Sequence, residues 1–388
     1  MNRIWHFDAL RGLMLVLMTL THLPTRLTAP FSQPFGYVSA AEGFVLLSAY
    51  MAGWVYGGRG LRQGPEAMRR ALVRRSLKVY LCHMALIVFA FTVVALIAQA
   101  TRQEAATGLL SFYFEAPLTA WIGAVLMIYM PPLLDILPLY VLFLLLSPLV
   151  LAGAARAGWT AVLAASGLCW LAAQWGLGSW LYQQLVVMFG GTIGVQHTGS
   201  FSIWAWQLLW VVGLWLGVGT AMRQGEDRKP FSPAVVALAV LVASVFLVWR
   251  YVAGPSPLAP GNMWNLLFDK WRLGPLRLLN LTAIVVVVMH FGPGLVQGLR
   301  QPVYFTKLGQ ASLQVFCAHL VAILAILAIW GGEDVDRSPL TDVILVVFTL
   351  AALYAVAAIT VRARGRKKVG TVKVSEMAVQ QQRPAHPC

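Results

Sequence analysis

The chain has 388 residues, 59% of them hydrophobic and only 11% charged, a usage far outside that of soluble domains. A formal net charge of +15 would suggest nucleic acid in a soluble protein. Here the Lys and Arg sit in short connections between apolar runs of about 20 residues, the length that crosses a bilayer, so positive-inside topology accounts for the charge and no nucleic-acid partner is expected.

Apolar windows predict an all-α, polytopic membrane helix bundle of about ten transmembrane helices, near 9–28, 36–56, 78–99, 133–154, 158–176, 203–222, 232–252, 275–296, 309–330 and 341–361. The first apolar run is too long for a signal h-region and lacks a small-x-small cleavage site, so it is expected to stay as the first span. The basic connection with Arg59, Arg62, Arg69, Arg70, Arg74 and Arg75 belongs in the cytoplasm. Alternation then places Arg156, the Arg223, Arg228 and Lys229 group, Arg300 and Lys307, and the tail from Arg362 on the same side, so both termini are cytoplasmic (N-in/C-in). The opposite side receives GGEDVDRSP (331–339) and two long loops, roughly 100–131 and 177–202. Residues 118–132 are apolar but too short before their paired prolines to cross, and read as a re-entrant or interfacial helix. The chain divides into a membrane domain, 1–361, and a basic cytoplasmic tail, 362–388, expected to lack structure.

Ionisable residues inside spans are costly and mark reaction sites or pathways. The opening FDALRGLMLVLMTLTH carries Asp8, Arg11 and His22. At 100° per residue the eleven-residue step from Arg11 to His22 is three turns plus roughly 20°, so they share a face about 16 Å apart along the axis. Asp8 and Arg11 can pair near the cytoplasmic boundary, whereas His22 lies deeper and is the candidate reacting group. The second span carries Glu42 and Ser48 among small residues, and Glu42 is expected to orient or charge-stabilise His22. Asp135 and Tyr140 fall at an extracytoplasmic end, as a turn cap and an interfacial aromatic or as acceptor residues.

The stretch NLLFDKWRLGPLRLLN places Asp269, Lys270, Arg272 and Arg277 on the less basic face, where an anionic ligand or mutual pairing accounts for them. His319, Gln314 and His290 are further intramembrane polar groups. Aromatic belts explain Trp175, Trp180, Trp204, Trp206, Trp249, Tyr251, Trp264 and Trp271, some of which are suited to stacking on sugars. The four cysteines show no paired or Cys/His spacing, so no metal site and no disulfide framework is expected.

FDALRGLMLVLMTLTH, with ten residues between Arg11 and His22, resembles the opening of the acyltransferase 3 superfamily of membrane O-acyltransferases. FGYVSAAEGFVLLSAYMAG, DILPLYVLFLLLSP and DKWRLGPLRLLN are similar to its OpgC branch, in family order over about residues 5–330. Where the superfamily has Leu-Ser-Gly, this chain has Leu47-Ser48-Ala49, which adds a methyl group and removes no chemistry.

The resemblance implies an acyltransferase of the bacterial inner membrane that takes an acyl group, succinyl favoured, from cytoplasmic acyl-CoA to hydroxyls of a periplasmic or surface glycan. No permanently bound cofactor is implied; acyl-CoA, succinyl-CoA favoured, is the donor substrate. In that reading His22 is the general base and Glu42 its stabiliser. Arg11, Asp8, Ser48, Arg74 and Arg75 gather the donor, and Asp135, Tyr140, Asp269, Lys270, Arg272, Arg277 and His319 serve the acceptor or support the site. The rival reading is a proton-coupled transporter that uses Asp8, Arg11, His22 and Glu42 as a relay, and a third is a scaffold subunit of a glycan-export complex.

Overall fold

The computed structural model describes residues 4–223, 230–333 and 337–381, with side chains to 366. Arg228, Lys229, Asp334, Asp336 and residues 382–388 lie outside the described residues. All regular structure among the described residues is helical. Seven helices are long and apolar enough to cross a bilayer: Pro65–Thr101, Ile136–Gln174, Ile203–Met222, Pro233–Ala253, Pro275–Gly298, Ser312–Trp330 and Pro339–Arg366.

The first two expected spans are helical but fall outside that set. Helix α1 (Trp5–His22) stops at His22 rather than at 28, because Leu23 turns extended ahead of Pro24. Helix α2 (Ala40–Ala52) starts with a capping box, Ser39 and Glu42 bonding each other's backbone N–H groups, and continues through a π-turn, Gly53–Gly57. Helix α3 (Pro65–Thr101) begins 13 residues before the predicted 78. Pro65 follows Gly64 at φ +86°, and no breaker comes after it, so Arg69, Arg70, Arg74 and Arg75 are helical rather than looped.

The segment 118–132 holds one short helix. Helix α4 (Pro117–Val125) has nine residues and descends along α3, where Phe91 packs on Tyr113 and Trp121 and the Tyr80 hydroxyl donates to the Val125 carbonyl at 2.9 Å. Tyr80 is about 30 Å along α3 from Thr101 at 1.5 Å per residue. Helix α5 (Ile136–Gln174) follows. Gly158, at φ 81° and ψ 161°, breaks α5 between the two spans expected at 133–154 and 158–176.

Helices α6 (Leu177–Phe189), α7 (Ile203–Met222), α8 (Pro233–Ala253), α9 (Pro275–Gly298), α10 (Val303–Gln310), α11 (Ser312–Trp330) and α12 (Pro339–Gln381) complete the chain. Helix α12 continues through the tail that was expected to lack structure, since GRKKVGTVKVSEMAVQQ contains no proline.

Close backbone approach sets the helix order. A Cβ on Gly12 of α1 would strike the Phe305 carbonyl of α10, and one on Gly309 of α10 would strike the Asp8 carbonyl of α1. Gly53 meets the Leu214 carbonyl and Gly217 the Tyr50 carbonyl in the same way, locking α2 and its π-turn against α7. Without a hydrophobic drive between helices in lipid, such small-residue contacts carry the association. Gly12→Val or Gly309→Val is therefore expected to destabilise the protein by about 1–3 kcal/mol or prevent assembly. Thermal unfolding in detergent measures this, with the exposed Gly108→Ala, which has open space around it, as control.

Candidate functional site

Because α1 is clamped to α10, Arg11 faces a cavity of about 170 Å³ lined by Ser48 of α2, Arg75 of α3, Tyr140 of α5, Gln310, Gln314 and Arg364. A second, apolar space of about 30 Å³ shares Arg11, Ser48, Arg75 and Tyr140 and adds Phe44 and Phe316. The Phe44 and Phe316 rings stack at 5.9 Å between centroids, Phe316 lies edge-on to His319 at 4.8 Å, and His319 stacks on His22 at 5.9 Å and 16°. A chain of ring contacts thus links the guanidinium-lined cavity, through two phenyl rings, to a pair of imidazoles that do not themselves line it.

The imidazoles sit inside the bundle. His319 is eleven residues before Trp330, about 16 Å from that end of α11. His319 is fully buried, and its Nδ1–H donates to the Phe316 carbonyl at 2.6 Å, which leaves Nε2 as the unprotonated nitrogen without a hydrogen-bond partner. His22 is half-buried, and its Nδ1 has no hydrogen-bond partner among the described residues. Two stacked imidazoles, each with a ring nitrogen that has no hydrogen-bond partner among the described residues, are suited to moving a proton.

Glu42 does not serve His22. Its carboxylate is fully buried and bonded to the Arg277 guanidinium and to Ser39, so the charge expected to support the imidazole is committed to helix α9. Arg277 also donates to the Phe268 carbonyl at 3.4 Å. The physical reason is electrostatic: a guanidinium buried to 1% exposure requires a carboxylate, and the outer loop delivers it there.

Lys270 lies within electrostatic range of His22, Glu42, Arg277 and Asp135. Burial pushes its ammonium below the ordinary range; Glu42 opposes that, Arg277 reinforces it and Asp135 opposes it. Its loop is tightly built. Asp269 accepts from the backbone N–H groups of Trp271 at 2.6 Å and Arg272 at 2.9 Å, so Asp269 is a turn builder. Arg272 donates to the Gln174 carbonyl at 3.5 Å, and its own carbonyl accepts from Gln174 at 2.8 Å; it braces the loop against α5.

Two further expectations change. Tyr140, expected at the outer end of a helix, instead shares the cavity with Arg75, and Ser76 donates to the neighbouring Val141 carbonyl at 3.2 Å. Arg74 is exposed, one helical step away from Arg75, and is not part of the cavity. Asp135 is buried and accepts the Ser200 N–H at 3.0 Å, which ties the loop before α7 to the start of α5. Asp8 is buried one turn from Arg11, and Trp206, expected in an aromatic belt, is wholly buried, donating to the Trp271 carbonyl. No cluster of three or more potential metal ligands occurs among the described residues.

Residues that the sequence did not mark are Phe44, Phe316, Gln310, Ser312 and Arg364. Phe44 and Phe316 belong to ordinary apolar runs, and Arg364 falls in a basic tail, so nothing local singled them out.

Removing one partner of the buried pair, Glu42→Ala or Arg277→Ala, is expected to cost about 3–5 kcal/mol by stranding the other charge. Glu42→Ala combined with Arg277→Ala should cost less than the sum of the single losses. An unfolding cycle over the four proteins measures the coupling, and strictly additive losses would contradict it.

No curated protein matches the chain. No solved structure matches it either. The family model described as OpgC protein matches residues 3–365, nearly the whole chain and every element of the cavity and the imidazole pair. On that match the chain belongs to the OpgC protein family.

Proposed function

We propose that this protein is a glucan-modifying, integral-membrane O-acyltransferase that passes an acyl group, with succinyl favoured, from cytoplasmic acyl-CoA to a glycan hydroxyl on the far side. In this reading ten helices span the inner membrane with both termini in the cytoplasm, α1, α2 with its π-turn, and the two parts of α5 on either side of Gly158 being counted among them. The observation that carries the proposal is the arginine-lined cavity joined by the Phe44–Phe316 ring contacts to His319 and His22. Family membership supports the activity class.

The donor's phosphates lie with Arg11 and Arg75, since guanidinium groups hold phosphate oxygens with charge-assisted, paired hydrogen bonds. The apolar arm runs along Phe44 and Phe316, which brings the thioester to His22. His22 takes the proton of the acceptor hydroxyl as its oxygen attacks the thioester carbonyl; the C–O bond forms and the C–S bond breaks. The imidazolium then gives that proton to the leaving thiolate. His319 stacks on His22 and holds the ring plane, taking the supporting place expected of Glu42. Lys270, Asp135 and the aromatic loop before α9 face the acceptor side.

His22→Ala is expected to reduce acyl incorporation into glucan by about 10²–10⁴-fold while insertion stays normal. Mass spectrometry of periplasmic glucans from cells carrying each variant reads this, and undiminished acylation would sink the mechanism; solute flux in vesicles without CoA would favour the transporter. Arg75→Ala is expected to raise the KM for donor by about tenfold, whereas the neighbouring Arg74→Ala should leave it within about twofold. Equal effects from the two would show that the cavity does not bind the donor.

A further inference from the structure

Three arginines, Arg362, Arg364 and Arg366, alternate near the cytoplasmic end of the apolar part of α12. Residues two apart on a helix point about 200° apart, so the middle one cannot share a direction with its neighbours. The buried face of α12 runs through Asp342, Leu345, Thr349, Leu353 and Ala357, and Arg364 continues it two turns on. Arg364 is accordingly half-buried, while Arg362 and Arg366 are exposed.

The helix is held in that rotation by α10. Tyr304 stacks on Tyr354 at 5.4 Å and donates to the Leu350 carbonyl at 3.0 Å, and Lys307 donates to the Tyr354 hydroxyl at 2.8 Å. Arg364 then donates to the Gln310 carbonyl at 2.7 Å and to the Gln314 side-chain oxygen at 2.9 Å, and it lines the same cavity as Arg11 and Arg75.

Among the described residues lining that cavity there are three guanidiniums and no carboxylate. Even with Asp8, one turn from Arg11, set against them, positive charge is in excess. The bonds to the Gln310 carbonyl and the Gln314 side chain aim the Arg364 guanidinium at the cavity. Three guanidiniums brought to one cavity wall are an arrangement for a multiply charged anion. Arg364 also lies just past the last apolar turn of α12, toward the cytoplasmic side of the proposed topology, where the most polar part of a ligand would remain.

We infer that Arg364 is a donor-binding residue, the phosphate ligand that makes the cavity select thioesters carrying a phosphorylated nucleotide over those carrying the pantetheine arm alone. This rests on the reading of the cavity as the donor site. The chain segment set apart by its sequence as a tail thereby supplies one wall of the site.

The test is binding of CoA, 3′-dephospho-CoA and pantetheine to the full-length protein in lipid nanodiscs, for wild type, Arg364→Gln, Arg364→Lys and Arg362→Gln. Arg364→Gln is expected to weaken CoA binding about tenfold or more and to leave pantetheine binding unchanged. Arg364→Lys should recover part of the CoA affinity, and Arg362→Gln, which removes the same charge from an exposed position, should stay within about twofold. CoA binding by Arg364→Gln equal to wild type would overturn the inference while leaving the donor reading intact. Equal loss of CoA and pantetheine would show a purely structural tether and overturn it as well. Failure of the wild-type protein to bind CoA would remove the donor reading and the inference with it.

Discussion

The contact on which the site depends is the mutual approach of α1 and α10 at Gly12 and Gly309, each packed on a carbonyl of the other helix. In lipid the gain from association comes from van der Waals packing and backbone proximity. The distance between these two helices is therefore set by two missing side chains. Once it is set, Arg11 of α1 faces Gln310 and Ser312 across a polar cavity, and the rising face of α1 brings His22 beside His319 of α11. Helix α12 docks on the other side of α10 through Tyr304, Lys307 and Tyr354, which turns Arg364 into the same space.

The outer half is organised by charge rather than by glycine. Glu42 both caps α2 and neutralises Arg277, so a single carboxylate ties the start of one helix to the start of another. Asp135 ties the start of α5 to the loop before α7, and Asp269 folds the turn that carries Lys270. Each of these groups would be costly if left alone in a low-dielectric interior, and each has a backbone or ionic partner. Among the described residues, the buried polar atoms without a hydrogen bond include three beside the cavity and the ring contacts that lead from it: His22 Nδ1, His319 Nε2 and the Ser48 hydroxyl. Buried polar atoms are ordinarily satisfied, so a cluster of exceptions beside a cavity marks the place where substrate atoms would complete the network.

Much of the fold was legible from the chain because membrane helices announce themselves by length and hydropathy, which are local properties. The break at Gly158, the short segment before Pro131 and the register of Asp8, Arg11 and His22 were all readable for the same reason. Helix ends were read less well. Charged residues do not stop a helix, so α3 begins at Pro65 and α12 runs on through its basic turns; Leu23 and Pro24 stop α1 inside a run of apolar residues. The pairing of Glu42 was misread because proximity along the chain suggested His22, whereas the true partner is 235 residues away.

The sequence by itself determined that this is a helical membrane protein, that its cationic residues gather between and beyond the apolar runs, and that a histidine stands three turns from an arginine on one helix. Those are consequences of composition and of the 3.6-residue repeat, and need no neighbour to hold. Only the tertiary structure decided which polar groups meet. It set Tyr140 beside Arg75, gave Glu42 to Arg277, placed His319 beside His22 instead, and rotated Arg364 into the cavity. The reason is that a buried charge or imidazole takes whichever partner the packing of distant helices brings within a few ångströms, and that packing is fixed by glycines and carbonyls whose pairing no local pattern records.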